Sequence, residues 1–185
     1  MEDVVKVKGV TDMLQRPETH EYGNYFERYI SIVPVGDLLP FLKRQLEELR
    51  ELGQSITEEQ GNYRYAPGKW SIKEVIGHMT DTERVMSYRM LRASRGDATP
   101  LPGFDQDLFV EGASFERRSI ANLLDEFAAV RQSTLAFIAN LPEEAWTRKG
   151  IANEAEMSAR AFAYVIAGHA LHHLRVLDDT YISNL

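Results

Sequence analysis

Four long segments of the chain carry apolar residues at three- and four-residue spacing, the periodicity of a helix with one buried face. The first begins at Asp37 and runs to about residue 53, and its apolar face is made of leucines: Leu38, Leu39, Leu42, Leu46 and Leu49. No alternating segment of convincing strand length separates the four segments. The pattern therefore predicts an all-α fold.

The other three predicted helices have recognisable ends. The second begins with the sequence SIKE at 71–74, a capping box in which the serine and the glutamate each bond the other's amide, and it ends near Gly96. The third covers about residues 116–140, and the fourth covers about residues 158–180. Two connections are expected, at 59–70 and 147–156, and a long loop with two prolines and two glycines is expected at 97–114.

These elements suit a four-helix bundle, since each helix would be about 30 Å long at about 1.5 Å per residue. The length of 185 residues fits one domain. We therefore expect a single domain over residues 1–185, with an irregular N-terminal segment at 1–36 and the helical bundle at 37–182.

The absence of cysteine narrows the chemistry. It excludes disulfides, thiolate metal ligands and a nucleophilic thiol of the chain's own, so that metal ligands must be His, Asp or Glu. It fits a cytoplasmic location, as does a start without the features of a signal peptide. The formal net charge of −7 argues against nucleic acid as a partner, and no apolar run is long enough for a membrane helix.

Three of the five histidines fall in the stretch GHALHHLRV, inside the fourth predicted helix. At about 100° per residue, His169 and His173 lie one turn apart in the middle of an apolar stripe, with His172 at its edge. Two imidazoles at this spacing can share one metal ion, whereas a single histidine on an apolar face usually bonds a carbonyl. From the pair alone, a metal site and two core histidines remain alternatives.

His78, near the middle of the second predicted helix, is the candidate for a third ligand. Metal sites in bundles are built from inward residues of facing helices. Three histidines would leave coordination positions open, which is typical of a catalytic rather than a structural metal. We therefore predict one divalent ion on His78, His169 and His173, while His20 in the N-terminal segment is expected to be solvated.

Two acidic residues, Asp81 and Glu83, follow His78 closely. They could orient metal ligands as hydrogen-bond acceptors, or they could pair with Arg84 or Arg89 on the helix surface. Surface pairing is the preferred interpretation, and neither residue is assigned a catalytic role.

Residues around the predicted site also have competing roles. Asp105 and Gln106 in the long loop would either line the mouth of a site or cap the loop. The aromatic residues before the second helix are expected to pack against its end: Tyr63, Tyr65 and Trp70. No Ser/His/Asp order, glycine-rich phosphate loop or basic and aromatic patch is visible.

Four stretches together resemble the DinB/YfiT-like superfamily of metalloenzymes, in its branch with a single DinB-like domain. They are YFERYISIVPVGDLL at 25–39, YAPGKWSIKEVIGHMTDTERV at 65–85, YRMLRASRGDATPLPGFDQD at 88–107 and AGHALHHLRVL at 167–177. The resemblance covers nearly the whole chain. It implies a four-helix bundle with up-down-down-up connections that is often a homodimer.

The resemblance also implies a ligand set and a cofactor. The three metal-binding histidines of the family correspond to His78, His169 and His173, with His172 as a competitor for a place in the pair. The implied ion is divalent, commonly nickel or zinc.

The function implied by the resemblance is that of a metal-dependent enzyme acting on a small molecule. Some relatives transfer a low-molecular-weight thiol, such as bacillithiol, onto electrophiles, and others are thiol-dependent isomerases or metal hydrolases. The expectation is a bacillithiol-type S-transferase that takes the thiol as a co-substrate. The alternatives are a metal-dependent hydrolase and a non-catalytic, stress-associated metal-binding protein.

Overall fold

The structure is a computed structural model that describes residues 14–185. Its α-helices are α1 (Glu27–Ile30), α2 (Leu38–Gln54), α3 (Ile72–Ser94), α4 (Gln106–Ala113), α5 (Ile120–Ala139) and α6 (Ala159–Val176). Two strands, β1 (Lys149–Ala152) and β2 (Ala155–Ser158), form a small antiparallel hairpin. Short 3-10 turns join these elements, and a wider helical turn at Leu177–Tyr181 continues α6.

The four long helices begin where short polar side chains satisfy the first free amides of the helix. Asp37 accepts a hydrogen bond at the start of α2, Ser119 does so for α5, and Ser158 does so for α6. At the start of α3, Ser71 and Glu74 form the predicted capping box, with each side chain bonded to the other residue's amide.

The long helices form a closed ring in which α2 packs against α5 and α6, and α3 packs against the same two helices. The predicted four-helix bundle is therefore confirmed. The first two long helices of the chain are not neighbours, and neither are the last two: α2 lies diagonally opposite α3, and α5 lies diagonally opposite α6. Residues 95–119, which contain α4, connect α3 to its neighbour α5.

Two expectations for the connections were wrong. The long loop expected at 97–114 contains α4, which Asp105 caps, and the connection expected at 147–156 contains most of the hairpin. Asn153 and Glu154 both have positive φ, so the turn is of the mirror-image kind that suits two-residue hairpins. The hairpin escaped detection because its strands have four residues each and its turn lacks the usual glycine.

The last helix is more deeply buried than a single apolar stripe would require. Every residue from Ala161 to Ala170 is buried, because α1 and β2 pack against α6 in addition to α2 and α3. The N-terminal segment, expected to be irregular, therefore contains a short helix that closes one side of the core. Within residues 14–185, no helix combines the length and the apolar character needed to cross a membrane.

Candidate metal centre

Three histidine side chains meet between α3 and α6. The ring centroids of His78 and His169 lie 4.9 Å apart, those of His78 and His173 lie 4.9 Å apart, and those of His169 and His173 lie 4.5 Å apart. One nitrogen from each ring lies within 4.8 Å of the other two, and the Nε2 atoms of His78 and His169 are 3.0 Å apart. The structure thus brings together the three residues that the sequence singled out.

A glycine directly before two of these histidines lets other parts of the chain approach closely. A Cβ atom on Gly168 would lie 2.0 Å from the carbonyl oxygen of Tyr29, and a Cβ on Gly77 would lie 2.5 Å from the ring of Phe115. The absence of side chains there allows the N-terminal segment to pack on α6 and the connection between α3 and α5 to pack on α3. Both contacts lie next to the histidine cluster and shield it.

Burial keeps the three imidazoles neutral. It lowers the pKa of His78 to about 4, with a further contribution from His172, and it lowers the pKa of His173 to about 2. The pKa of His169 is held well below its usual value by burial, and then by the neighbouring His173 and His78. Each ring therefore carries a lone pair at neutral pH, as a metal ligand requires.

The polar atoms of the cluster fit a cation better than they fit one another. Within the described residues, the buried Nδ1 of His173 has no hydrogen-bond partner. Of the two Nε2 atoms that face each other on His78 and His169, only one can carry the proton that joins them. Buried polar nitrogens are normally paired, and a divalent ion accepts several imidazole lone pairs at once.

A cavity of about 340 Å³ opens beside the cluster. Its walls come from α3 and α6, from the N-terminal segment, from the loop before α4 and from the turn of the hairpin. The lining residues on the two helices are His78, Thr82, Met86, Arg89, Val165 and His169. No aspartate or glutamate is among the described residues that line the cavity.

Two aromatic residues pack against the histidine rings. The ring of Trp70 lies 4.7 Å from that of His78, and the ring of Tyr29 lies 5.4 Å from that of His169. Trp70 was expected only to pack the end of the helix, so its contact with the cluster was missed. Tyr63 and Tyr65, by contrast, pack edge-on against Tyr181 and do not reach the cluster.

The other two histidines lie outside the cluster. His172 is exposed, and although its ring is 4.9 Å from that of His173, it is not one of the residues whose nitrogens converge. His20 is exposed and lies 3.3 Å from Glu18, which agrees with its expected solvated position.

The acidic residues after His78 have separate roles. Asp81 pairs with Arg84 on the helix surface at 3.4 Å, as the preferred interpretation held. The same interpretation was wrong for Glu83, which is buried and bonded to Arg131 by two oxygens, at 2.9 Å and 2.7 Å. Glu83 lies on the same helix as Arg84 and Arg89, which suggested a surface pair. No local signal pointed to an arginine on α5.

Asp105 and Gln106, at the start of α4, divide between the two roles weighed for them. Asp105 caps α4 by accepting bonds from the amides of Asp107 at 2.9 Å and Leu108 at 3.2 Å. Gln106 lines the cavity.

Most of the cavity residues were missed by the sequence analysis, among them Tyr29, Thr82 and Arg89. Thr82 and Arg89 follow His78 by four and eleven residues, so both share its face of the helix. That spacing was a usable signal once His78 was taken as a ligand. Tyr29 had no such signal, because its approach to α6 depends on how the N-terminal segment folds back.

A helical bundle with three histidines clustered between facing helices has the donor set of a bundle metalloprotein. A family model described as the DinB superfamily matches residues 42–177. The chain belongs to the DinB superfamily, as the resemblance predicted.

Relatives support the same fold. YfiT from Bacillus subtilis, described as a probable metal-dependent hydrolase with an unusual four-helix bundle topology, superposes with a TM-score of 0.68 at 14% sequence identity. The superposition covers 77% of this chain and 83% of YfiT. A protein of Oceanobacillus iheyensis (strain HTE831), named "Putative metal-dependent hydrolase OB0413", is 24% identical over 78 residues, which is 42% of this chain. The match spans 45% of the length of that relative.

Proposed function

We propose that His78, His169 and His173 hold one divalent ion, nickel or zinc, and that the chain is a metal-dependent enzyme. The observation that carries the proposal is the convergence of three neutral imidazoles within 4.8 Å, from two helices, beside an open cavity. Three protein nitrogens leave coordination positions for a substrate. An ion bound there would act as a Lewis acid that favours the ionised form of a thiol or water.

Transfer of a low-molecular-weight thiol is the reaction that the site favours. The chain has no cysteine, so the thiol must be a co-substrate. No described lining residue is a carboxylate that could act as a general base, and a thiol ionises far more easily than water does. In the transfer, the thiol sulfur forms a bond to an electrophilic carbon, the leaving group departs with its electron pair, and the thiol proton goes to solvent or to the leaving group.

The chain's own residues would position the reactants and exclude water. Trp70 packs against the ring of His78 and Tyr29 packs against that of His169, which restricts the orientation of both imidazoles. The aromatic and aliphatic side chains of Phe26, Phe104 and Val165 give the cavity largely apolar walls, which suit the body of a small organic substrate.

Hydrolysis is the second candidate, and the names of the two relatives favour it. Water would then take the place of the thiol, without help from a carboxylate of the described cavity wall. A non-catalytic, stress-associated role is the remaining alternative. The single-domain organisation over residues 1–185, the homodimer and the cytoplasmic location stay predictions.

Turnover of monochlorobimane with a panel of small thiols, beside an ester panel, tests the proposed function. Both are measured before and after treatment with a chelator. We expect thiol conjugation that chelation abolishes and that nickel or zinc restores. The variant His173→Ala should lose this activity, whereas His172→Ala, which removes an exposed neighbour of the same kind, should keep it. Metal-dependent ester cleavage without conjugation would favour the hydrolase, and no metal-dependent turnover in either panel would contradict an enzymatic role.

A further inference from the structure

One face of α3 connects the histidine cluster to a buried arginine. His78, Thr82, Met86 and Arg89 lie within about 80° of one another around the helix at about 100° per residue, and all four line the cavity. Eleven residues at about 1.5 Å each separate the α-carbons of His78 and Arg89 by about 16 Å along the axis. His78 and Arg89 therefore stand about three helical turns apart along the wall of one cavity.

Arg89 is a buried cation whose contacts are all to uncharged groups. Its side chain is 5% exposed, its Nη2 donates to the carbonyl of Pro102 at 2.7 Å, and its Nη1 lies 3.9 Å from the sulfur of Met86. The guanidinium also lies 5.6 Å from the centre of the Phe104 ring. Within residues 14–185, no carboxylate lies at ion-pair distance from it. These contacts leave donors of its five N–H groups free to bind an anion.

Other buried cations in the described chain do have acidic partners. Lys73 pairs with Glu58 at 2.8 Å, and Arg131 pairs with Glu83 at 2.7 Å. Burying an unpaired charge is costly, so buried arginines are normally paired with carboxylates. Arg89 departs from that rule and is a lining residue of the cavity, so the missing anion is expected from outside the chain.

Thr82, which lies between His78 and Arg89 on α3, is a second unsatisfied group. It is 3% exposed, and its hydroxyl has no hydrogen-bond partner within the described residues. Two other buried threonines in helices behave differently, since Thr80 bonds the carbonyl of Ile76 at 3.0 Å and Thr134 bonds that of Val130 at 3.2 Å. The Thr82 hydroxyl is therefore an unused hydrogen-bonding group in a residue that lines the cavity.

We propose that the cavity binds a small organic carboxylate, with its anionic group on Arg89 and its reacting end at the histidine cluster. A polar group in the middle of the molecule would bond Thr82, while its uncharged remainder lies against the apolar walls. A single guanidinium neutralises a single carboxylate and presents paired N–H groups to its two oxygens. The assignment of the reacting end rests on the proposed function, whereas the carboxylate site on Arg89 does not.

Binding of octanoate to the metal-free protein tests the carboxylate site, with octanamide as the neutral match of the same length. Isothermal titration calorimetry should show octanoate binding at least about tenfold more tightly than octanamide, since hydrogen bonds to charged groups are stronger than neutral ones. Arg89→Gln should weaken octanoate binding by about tenfold to a hundredfold, and Arg89→Lys should weaken it less.

Arg95→Gln serves as the matched control, because it makes the same charge change beside a phenyl ring, at an exposed position just after α3. It should bind octanoate within about twofold of the wild type, because Arg95 does not line the cavity.

Equal affinity for octanoate and octanamide, or equal losses in Arg89→Gln and Arg95→Gln, would overturn the proposal. Tighter binding of octyl phosphate than of octanoate would overturn the choice of a carboxylate. If Arg89→Gln fails to fold, the octanoate and octanamide comparison and Arg89→Lys still decide. A wild type that prefers octanoate but takes up no nickel or zinc would contradict the proposed function but not this site. A wild type that takes up the metal but binds octanoate no better than octanamide would contradict this site but not the proposed function.

Discussion

On one side of α3, buried polar groups are paired within the protein, and on the other, several lack partners in the part of the chain that the structure describes. On the side that faces α5, Glu83 and Arg131 are both buried and share two oxygens and two nitrogens. Arg131 also donates to the carbonyl of Leu42 at 2.8 Å and to the side chain of Gln45 at 3.2 Å. On this side the charges and donors are matched within the bundle itself.

On the side that faces α6, several buried polar groups of the described chain lack matching partners. Nδ1 of His173 and the hydroxyl of Thr82 have no partner within the described residues, and Arg89 has no acidic one. A bundle selected for stability alone would satisfy both sides, because unpaired buried polar groups cost free energy. The difference supports our proposal that one side of α3 is arranged for a ligand, while the other serves the fold.

Removing each buried arginine should have very different effects on stability. Arg131→Met leaves Glu83 buried without its partner and should lower the free energy of unfolding by about 3–5 kcal/mol. Arg89→Met removes one hydrogen bond but also a buried unpaired charge, so its cost should be about 1 kcal/mol or less. Urea denaturation of the two variants and the wild type measures the difference. Equal losses would contradict the distinction between the two sides.

Glu21 in the N-terminal segment and Arg160 in α6 form a second, largely buried ion pair, and this pair should make stability depend on pH. Burial raises the pKa of Glu21, but hydrogen bonds from Arg160, Ser158 and the amide of Glu18 outweigh it and lower the pKa to about 2. The unfolded chain, with the ordinary carboxyl pKa of 4.5, then binds protons more readily than the folded chain does.

The contribution of Glu21 is therefore present above pH 4.5 and is lost as the pH falls from about 5 toward 2. It amounts to at most about 3 kcal/mol for this difference in pKa. Other carboxylates titrate in the same range, so the informative quantity is the difference between wild type and Glu21→Gln. The difference in the free energy of unfolding between the two proteins, measured by denaturation at pH 6, 4 and 3, should shrink as the pH falls. A difference that stays the same at all three pH values would exclude this role for the pair.

Two threonines on α3 offer the finest test of the comparison. Thr80→Val removes a hydrogen bond to the carbonyl of Ile76 and should cost about 1 kcal/mol. Thr82→Val removes a buried hydroxyl that has no partner, so stability should be unchanged or slightly higher. Thermal unfolding of the two variants measures this. A loss in Thr82→Val as large as that in Thr80→Val would mean that Thr82 has a structural partner after all.

The bundle could be predicted because its signals are local. Leucine spacing in α2 and the capping box at Ser71 fix helices through contacts within a few residues, and the pairing of His169 with His173 follows from one helical turn. His78 could be added because bundle sites draw on facing helices.

What the sequence left undetermined depends on contacts across the fold. Glu83 bonds to Arg131, which lies 48 residues further along the chain. Tyr29 reaches α6 only because Gly168 has no side chain. Arg89 looked like an ordinary surface partner for Asp81 or Glu83, since nothing local shows that it is buried beside a cavity. Burial and long-range pairing are properties of the packed chain, and no short pattern encodes them.

Metal content tests most directly the claim that the α6-facing side of α3 is arranged for a ligand. Protein reloaded with nickel or zinc and dialysed is analysed by mass spectrometry, and its thermal unfolding is compared with that of the metal-free form. We expect one ion per chain and a higher unfolding temperature in the wild type and in His172→Ala, and neither in His78→Ala. A His78→Ala variant that keeps one tightly bound ion, or a wild type that binds none, would contradict the claim.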